Sequence, residues 1–271
     1  MNETLKRAIS GAVYIILLLG CILHSRESLA LLFGVFLGIA VYEFCKILHL
    51  NFWICLVISI VAYYFLWDKE NWFNTRTILT LTSTIIAIKL IFYLFNQQKT
   101  NFHLFTRYFL WIGYLLFTFI LTNYVPMGVH GYNPKILISI FILIWTNDTF
   151  AYLVGKNFGK HKLFPIISPK KTIEGFVGGL FFAIVSGMIL SHFYIGAKNF
   201  YFWIIIAIIV SIFSTLGDLI ESKFKRVAGI KDSGKIMPGH GGILDRLDSI
   251  IFVIPFINLF YLILHYLQYV S

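Results

Sequence analysis

Charge is what this sequence has least of. Only 13% of its 271 residues are Asp, Glu, Lys or Arg, against about 25% in soluble chains, so a water-facing surface cannot be covered and a cytosolic globular enzyme is excluded. Cysteine is scarce too. Cys21, Cys45 and Cys55 all lie inside apolar stretches, which suits small buried hydrophobes better than a disulfide frame or a cysteine metal site. The apolar runs lack period-2 alternation, and that excludes an outer-membrane barrel, whose strands alternate lipid-facing and lumen-facing side chains. Hydrophobicity is what remains: 59% hydrophobic and 18% aromatic residues, with a mean hydropathy of +0.83. The expectation is an all-α, polytopic integral membrane protein.

A hydrocarbon core about 30 Å thick asks for roughly 20 apolar residues per helix, and on that measure the chain holds about nine spans. They are predicted at residues 8–23, 29–48, 52–67, 77–95, 108–125, 135–154, 172–195, 200–217 and 249–270. The run ending Leu18-Leu19-Gly20-Cys21 loosely resembles a lipobox. Leu19 is unusual there, however, and further spans follow at once, so the run is read as the first span. With the N-terminus cytoplasmic, Lys6, Arg7, Lys46, Lys99, Arg107 and the cations of loops 155–171 and 221–248 fall inside; Arg26, Lys69, Arg76, Lys135 and Lys198 fall outside. This obeys the positive-inside rule. It also accounts for the net charge of +10 without nucleic acid as a partner.

A charged side chain within a membrane helix is costly enough to need a reason and a partner. In the C-terminal half, Asp148, Glu174, Asp218, Glu221, Asp232, Asp245 and Asp248 all fall near the same end of their spans or in the long loops. Asp218 and Glu221 stand three apart, as do Asp245 and Asp248, so each pair shares a helix face. Clustered acids repel unless cations intervene, and oxygen ligands at a water-accessible membrane surface suit a hard ion such as Mg²⁺. Simple pairing with Lys223, Lys225, Arg226 or Arg246 stays open, above all for Glu221 and Asp248. Asp148 lies in Trp145-Thr146-Asn147-Asp148-Thr149. Helix packing explains the Asn and Thr residues there, whereas an ionisable Asp points to function.

The two loops carry anion-binding features. Gly239-His240-Gly241-Gly242 lets the backbone approach a ligand closely, and Lys225, Arg226, Lys231 and Arg246 suit phosphate oxygens. Ser168-Pro169-Lys170-Lys171-Thr172 sets two lysines beside a helix that Thr172 would cap. Gly155-Lys156-Asn157-Phe158-Gly159-Lys160 fails the Walker spacing and follows no strand. Gly175-x-x-x-Gly179 reads equally well as a packing face, and Gly34-x-x-x-Gly38 permits either a homodimer or packing within the chain.

One long segment is more specific. Ser222-x-Phe224-Lys225-Arg226, then Lys231-Asp232-x-Gly234, then Pro238-Gly239-His240-Gly241-Gly242-Ile243-x-Asp245-Arg246-Leu247-Asp248 resembles the signature of phosphatidate cytidylyltransferases, the CDP-diacylglycerol synthases. Met237 departs conservatively from it, standing where the pattern prefers Leu, Ile or Phe. Asn147-Asp148-x-x-Ala151-Tyr152-x-x-Gly155, Ser168-Pro169-Lys170-Lys171-Thr172-x-Glu174-Gly175 and Gly217-Asp218-x-x-Glu221-Ser222 also look like family segments. The resemblance implies transfer of CMP from CTP to phosphatidic acid, giving CDP-diacylglycerol and pyrophosphate, with Mg²⁺, at the cytoplasmic face of the inner (plasma) membrane. It implies metal ligation by Asp218 and Asp245 and a supporting acidic role for Asp148. Lys225 and Arg226 would act in catalysis, and Lys170, Lys171, Lys231, Gly239, His240, Gly241, Gly242 and Arg246 would bind substrate. On this reading residues 1–134 are generic transmembrane helices, and 135–271 form the catalytic region with its loops 155–171 and 221–248. A CTP-dependent lipid-alcohol kinase, and a transporter with Asp148 on its ion path, are the alternatives.

Overall fold

The computed structural model describes residues 3–67, 72–96, 102–128, 131–196, 200–239 and 241–270. His240, Lys69, Lys99 and Lys198 lie outside the described residues. The chain is a helical bundle. Its rods are α1 (Glu3–His24), α2 (Arg26–Leu48), α3 (Phe52–Leu66), α4 (Trp72–Phe95), α5 (Leu104–Thr122), α6 (Pro134–Phe158), α7 (Ile173–Ile195), α8 (Phe200–Val227) and α9 (Leu244–Val270). Among the described residues, eight are long and apolar enough to cross a membrane. The exception is α3, whose 15 residues reach only about 22 Å at 1.5 Å per residue, short of the ~30 Å core. The lipid-facing character is visible in the exposed Ile16, Leu31, Phe92, Phe181 and Phe193.

Helix ends follow local chemistry. Ser25 and Ser28 form a reciprocal capping box at the start of α2, and Thr172 caps α7 by accepting from Gly175 N–H at 3.1 Å, as its position predicts. The middle of α5 (Trp111–Leu116) and the end of α7 (Leu190–Ile195) widen into π-helix. Two small antiparallel hairpins complete the structure: β1 (Met127–Gly128) with β2 (Gly131–Tyr132), and β3 (Lys162–Phe164) with β4 (Ser168–Thr172).

The most extensive interhelical contact joins α6 to α7, and glycine makes it possible. A Cβ on Gly179 would stand 2.8 Å from both the carbonyl and side-chain oxygens of Asn147, and one on Gly175 would stand 2.6 Å from the Ala151 carbonyl. The Gly175-x-x-x-Gly179 stripe is thus a packing face that lets backbones close up. Gly34 and Gly38 face Tyr63 and Leu56 of α3, so that glycine face is used within the chain. At the α8/α9 crossing a Cβ on Gly217 would meet the Asp248 carbonyl at 2.7 Å, which draws the two helices together beside Asp218. Asn147 ties α6 to α8, accepting from Ser211 Oγ at 2.6 Å and donating to Ser214 Oγ at 3.3 Å.

Candidate active site

The helices run further into polar sequence than hydropathy predicts. α8 continues to Val227 and α9 begins at Leu244, so Asp218, Glu221, Asp245 and Asp248 all ride on helix, where backbone hydrogen bonding fixes their direction. Asp148 comes from α6. Asp148, Asp218, Asp232, Asp245 and Asp248 line one hollow of about 300 Å³, together with Lys225, Arg246 and Ser249. Segments far apart in sequence therefore meet at one point, as the carboxylate pattern requires.

The carboxylates differ in how far they are committed. Asp218 Oδ2 pairs with Lys171 Nζ at 2.5 Å and its Oδ1 accepts from Ser222 Oγ at 3.2 Å. Lys225 Nζ bridges Asp245 Oδ1 at 2.6 Å and the fully buried Glu221 at 2.5 Å. Asp245 Oδ2 accepts from Gly242 N–H at 2.7 Å, Ser233 N–H at 2.9 Å and Ser233 Oγ at 3.0 Å. Asp245 is thereby the organiser of its own loop. Among the described residues Asp148 accepts only from the Asn147 amide, at 3.3 Å, and Asp248 only from Ser249 N–H, at 2.7 Å. Neither makes a salt bridge among the described residues. Simple ion pairing thus accounts for Glu221 but not for Asp248.

Among the described residues, five aspartates line this hollow against Lys225 and Arg246, with Lys171 reaching Asp218 from the adjoining cavity. An excess of hard, anionic oxygen donors is the chemistry that draws in a divalent cation, so these residues fit one. Among the described residues, no three acidic, histidine or cysteine side chains already stand in a ready ligand set.

Three further cavities adjoin the hollow. The first, about 680 Å³, lies between α6, α7 and the β3–β4 hairpin and is lined by Asp148, Tyr152, Lys156, Lys162, Lys170, Lys171 and Asp218 among others. The hairpin is held shut by Glu174, which accepts from Lys160 and His161 N–H at 3.0 and 3.2 Å and meets the His161 ring at 2.6 Å. The second, about 240 Å³, is a crevice of mixed polarity where Tyr14 and Ile15 of α1 face Phe141, Ile144, Trp145 and Ile250 alongside Asp148, Asp245, Arg246, Asp248 and Ser249. The third, about 500 Å³, gathers Arg7, Lys231, Lys235 and Arg246 with Gly239 and Gly241. Asp148 lines the hollow and the first two of these cavities.

The remaining candidates divide by position. Lys170 and Lys171 reach the large cavity, and Lys231, Gly239 and Gly241 the basic cleft. Gly239 and Gly241 have φ of 77° and 88°, the left-handed region that favours glycine. Gly242 instead turns its Cα toward Ser233 and Glu43, where a Cβ would have no space. Arg226 is exposed and donates to the Ile230 carbonyl at 3.3 Å; it lines none of these four cavities. Lys223 is spent on the C-terminus of α4, donating to the Tyr93 and Asn96 carbonyls and lying over the Tyr93 ring.

Sequence reasoning missed Glu43. It sits on α2, is 1% exposed, and reaches the signature loop of the other half of the chain. Its carboxylate accepts from the N–H groups of Ile243 and Leu244 at 3.2 and 2.9 Å and from Ser233 Oγ at 2.8 Å. The signal was available: a lone acid inside Val41-Tyr42-Glu43-Phe44-Cys45 satisfies the same criterion that singled out Asp148.

The profile of the cytidylyltransferase family matches residues 5–264, nearly the entire chain. The chain belongs to the cytidylyltransferase family. Among similar proteins, the phosphatidate cytidylyltransferase of Staphylococcus aureus (strain COL) is 51% identical over 123 residues, covering 45% of this chain and 47% of that protein. That of Staphylococcus haemolyticus (strain JCSC1435) is 50% identical over 123 residues, 45% and 47% of the respective chains. That of Staphylococcus epidermidis (strain ATCC 12228) is 48% identical over 125 residues, 46% and 48%. The chain thus aligns with about half the length of the curated relatives it matches.

Proposed function

We propose that this family member transfers CMP from CTP to phosphatidic acid, producing CDP-diacylglycerol and pyrophosphate. One observation carries the reading: a carboxylate-walled hollow connects a lysine-lined cavity to a crevice of mixed aromatic, aliphatic and charged walls, with Asp148 lining all three. A water-soluble polyanion and a membrane lipid can therefore meet at one point. The large cavity has the volume and the cations for a nucleoside triphosphate, with Lys170 and Lys171 on its phosphates. The crevice suits the head-group end of phosphatidic acid, its phosphate toward Arg246 and its acyl chains left among the helices.

The chemistry asks for alignment and neutralisation. A phosphate oxygen of the lipid bonds to the α-phosphorus of CTP as the bond from that phosphorus to the β-bridging oxygen breaks, and pyrophosphate leaves. The nucleophile is already anionic near neutral pH, so no strong base is required. The obstacle is repulsion between two polyanions, which positioned cations relieve. Lys171, braced on Asp218, and Arg246 are the protein's own cations on either side. A divalent cation, Mg²⁺ by its preference for oxygen donors, would be held by Asp218 and Asp248 with Asp245 and Asp148 alongside, and when bound it supplies charge neutralisation at the transferring phosphoryl group. The proposed setting is the plasma membrane, with the N-terminus and both loops cytoplasmic.

The deciding experiment supplies purified protein in lipid with labelled CTP, Mg²⁺ and either phosphatidic acid or diacylglycerol. Expected is a CDP-linked lipid and labelled pyrophosphate from phosphatidic acid alone. Phosphorylation of diacylglycerol with release of CDP would replace this reading by a CTP-dependent lipid kinase.

A further inference from the structure

Glu43 is a buried acid with no cationic partner among the described residues. Its three bonds all go to one place. Ile243 and Leu244 stand at the start of α9, where backbone N–H groups lack partners within the helix, and a carboxylate there satisfies two of them and meets the positive end of the helix dipole. The third donor, Ser233, lies at the opposite end of the glycine loop. Cβ atoms built on Gly234 and Gly242 would both run into the Glu43 carboxylate, so the loop backbone is wrapped directly onto this side chain from two sides.

Ser233 links Glu43 to the reacting centre. Its Oγ stands 2.8 Å from Glu43 Oε2 and 3.0 Å from Asp245 Oδ2. A hydroxyl has one proton to donate, so the two carboxyls share it, and the position of one is felt by the other. Asp245 in turn holds Lys225 at 2.6 Å. A chain of contacts therefore runs from α2 through Ser233 to Asp245 and Lys225, two residues that line the carboxylate hollow.

We propose that Glu43 is a positioning residue for the reaction: from α2 it clamps both ends of the 233–244 loop, and through Ser233 it sets where Asp245 and Lys225 point into the hollow. This rests on the activity proposed above. Burying an acid among apolar helices is expensive, and the three directed bonds are what the fold gains from it. A glutamine has nearly the same shape but presents an NH₂ to one set of these donors, so it disturbs the loop without opening a cavity. Displacements of about 1 Å at a reacting centre cost on the order of 10²-fold in rate.

The test uses the full-length protein in lipid and the variants Glu43→Gln, Glu43→Asp and Ser233→Ala. Expected is a fall in kcat of about 10²-fold for Glu43→Gln, with KM for CTP and for phosphatidic acid within about threefold of the original, since neither substrate touches Glu43. Glu43→Asp should recover part of the loss. Ser233→Ala leaves the bonds to Ile243 and Leu244 in place and should reproduce the fall in kcat with an unchanged melting temperature. A second readout is independent of turnover: trypsin cleavage at Lys231 and Lys235 should accelerate in Glu43→Gln under native conditions. Full kcat in Glu43→Gln, or a melting-temperature loss with unaltered kcat in Ser233→Ala, would overturn the proposal. If the unmodified protein makes no CDP-linked lipid, the reaction assignment falls, while the cleavage readout still decides whether Glu43 governs the loop.

Discussion

Asp245 and Asp248 stand three residues apart on one helix, yet their surroundings give them different work. Asp245 is anchored by Lys225 and three loop donors, whereas Asp248 keeps an oxygen uncommitted beside Asp148 and Asp218. Asp248→Asn should therefore lower kcat by at least about 10²-fold, the scale of a lost electrostatic contact at a transferring group, with little change in melting temperature. Asp245→Asn should lose activity and also loosen the loop, seen as faster proteolysis at Lys231. Asp218→Asn should leave Lys171 without its partner and raise the KM for CTP as well as lower kcat. Equal stability and kinetic profiles for the three asparagine variants would contradict this division of labour. Stripping divalent ions with a chelator should abolish turnover, and excess Mg²⁺ should restore it. The sequence marked these residues because charge is conspicuous in apolar surroundings. It could not separate them, because commitment depends on donors such as Ser233 that polarity alone does not reveal.

At the scale of helices and hairpins, hydropathy located the eight long apolar helices of the described residues but not their ends. α6 and α8 run on past the predicted spans and α9 begins before its own, because those added turns line polar cavities rather than lipid. Such turns look like loop to any hydropathy window. The β3–β4 hairpin was hidden for a related reason, as its lysines and Pro169 carry no alternating pattern. Packing between helices, by contrast, was legible at Gly175 and Gly179. Gly179→Ala should destabilise the protein by about 1–3 kcal/mol, the usual effect of overpacking, because Asn147 blocks the added methyl; an unchanged melting temperature would argue against so tight a crossing. Lys223→Met strips α4 of a cation that binds its terminal carbonyls. A loss of about 1–3 kcal/mol is expected for those unsatisfied groups, with kcat unaffected, measured by thermal unfolding alongside the assay.

Across the whole molecule, the N-terminal helices prove to be part of the site's architecture. α2 supplies Glu43, and α1 contributes Arg7 to the basic cleft and Tyr14 to the crevice beside the hollow. Apart from the lone acid Glu43, their sequences gave little sign of this, since a wall residue such as Gly11 or Ile15 is indistinguishable from any other membrane apolar. Single cysteines placed at Lys160 and Lys235 should react with an impermeant reagent from the same face of sealed vesicles; labelling from opposite faces would break the shared-site architecture. α1 itself has a distinctive position. Only 11% of its spanning window is buried, yet Ser10 Oγ donates to the Pro238 carbonyl at 3.0 Å and Arg7 lies against Gly239. A rod so largely bathed in lipid tilts with bilayer thickness, and its tether would carry that tilt to the glycine turn. Turnover should then vary with the acyl length of the host bilayer even when the substrate is held constant, which would make the proposed catalyst a gauge of the sheet around it.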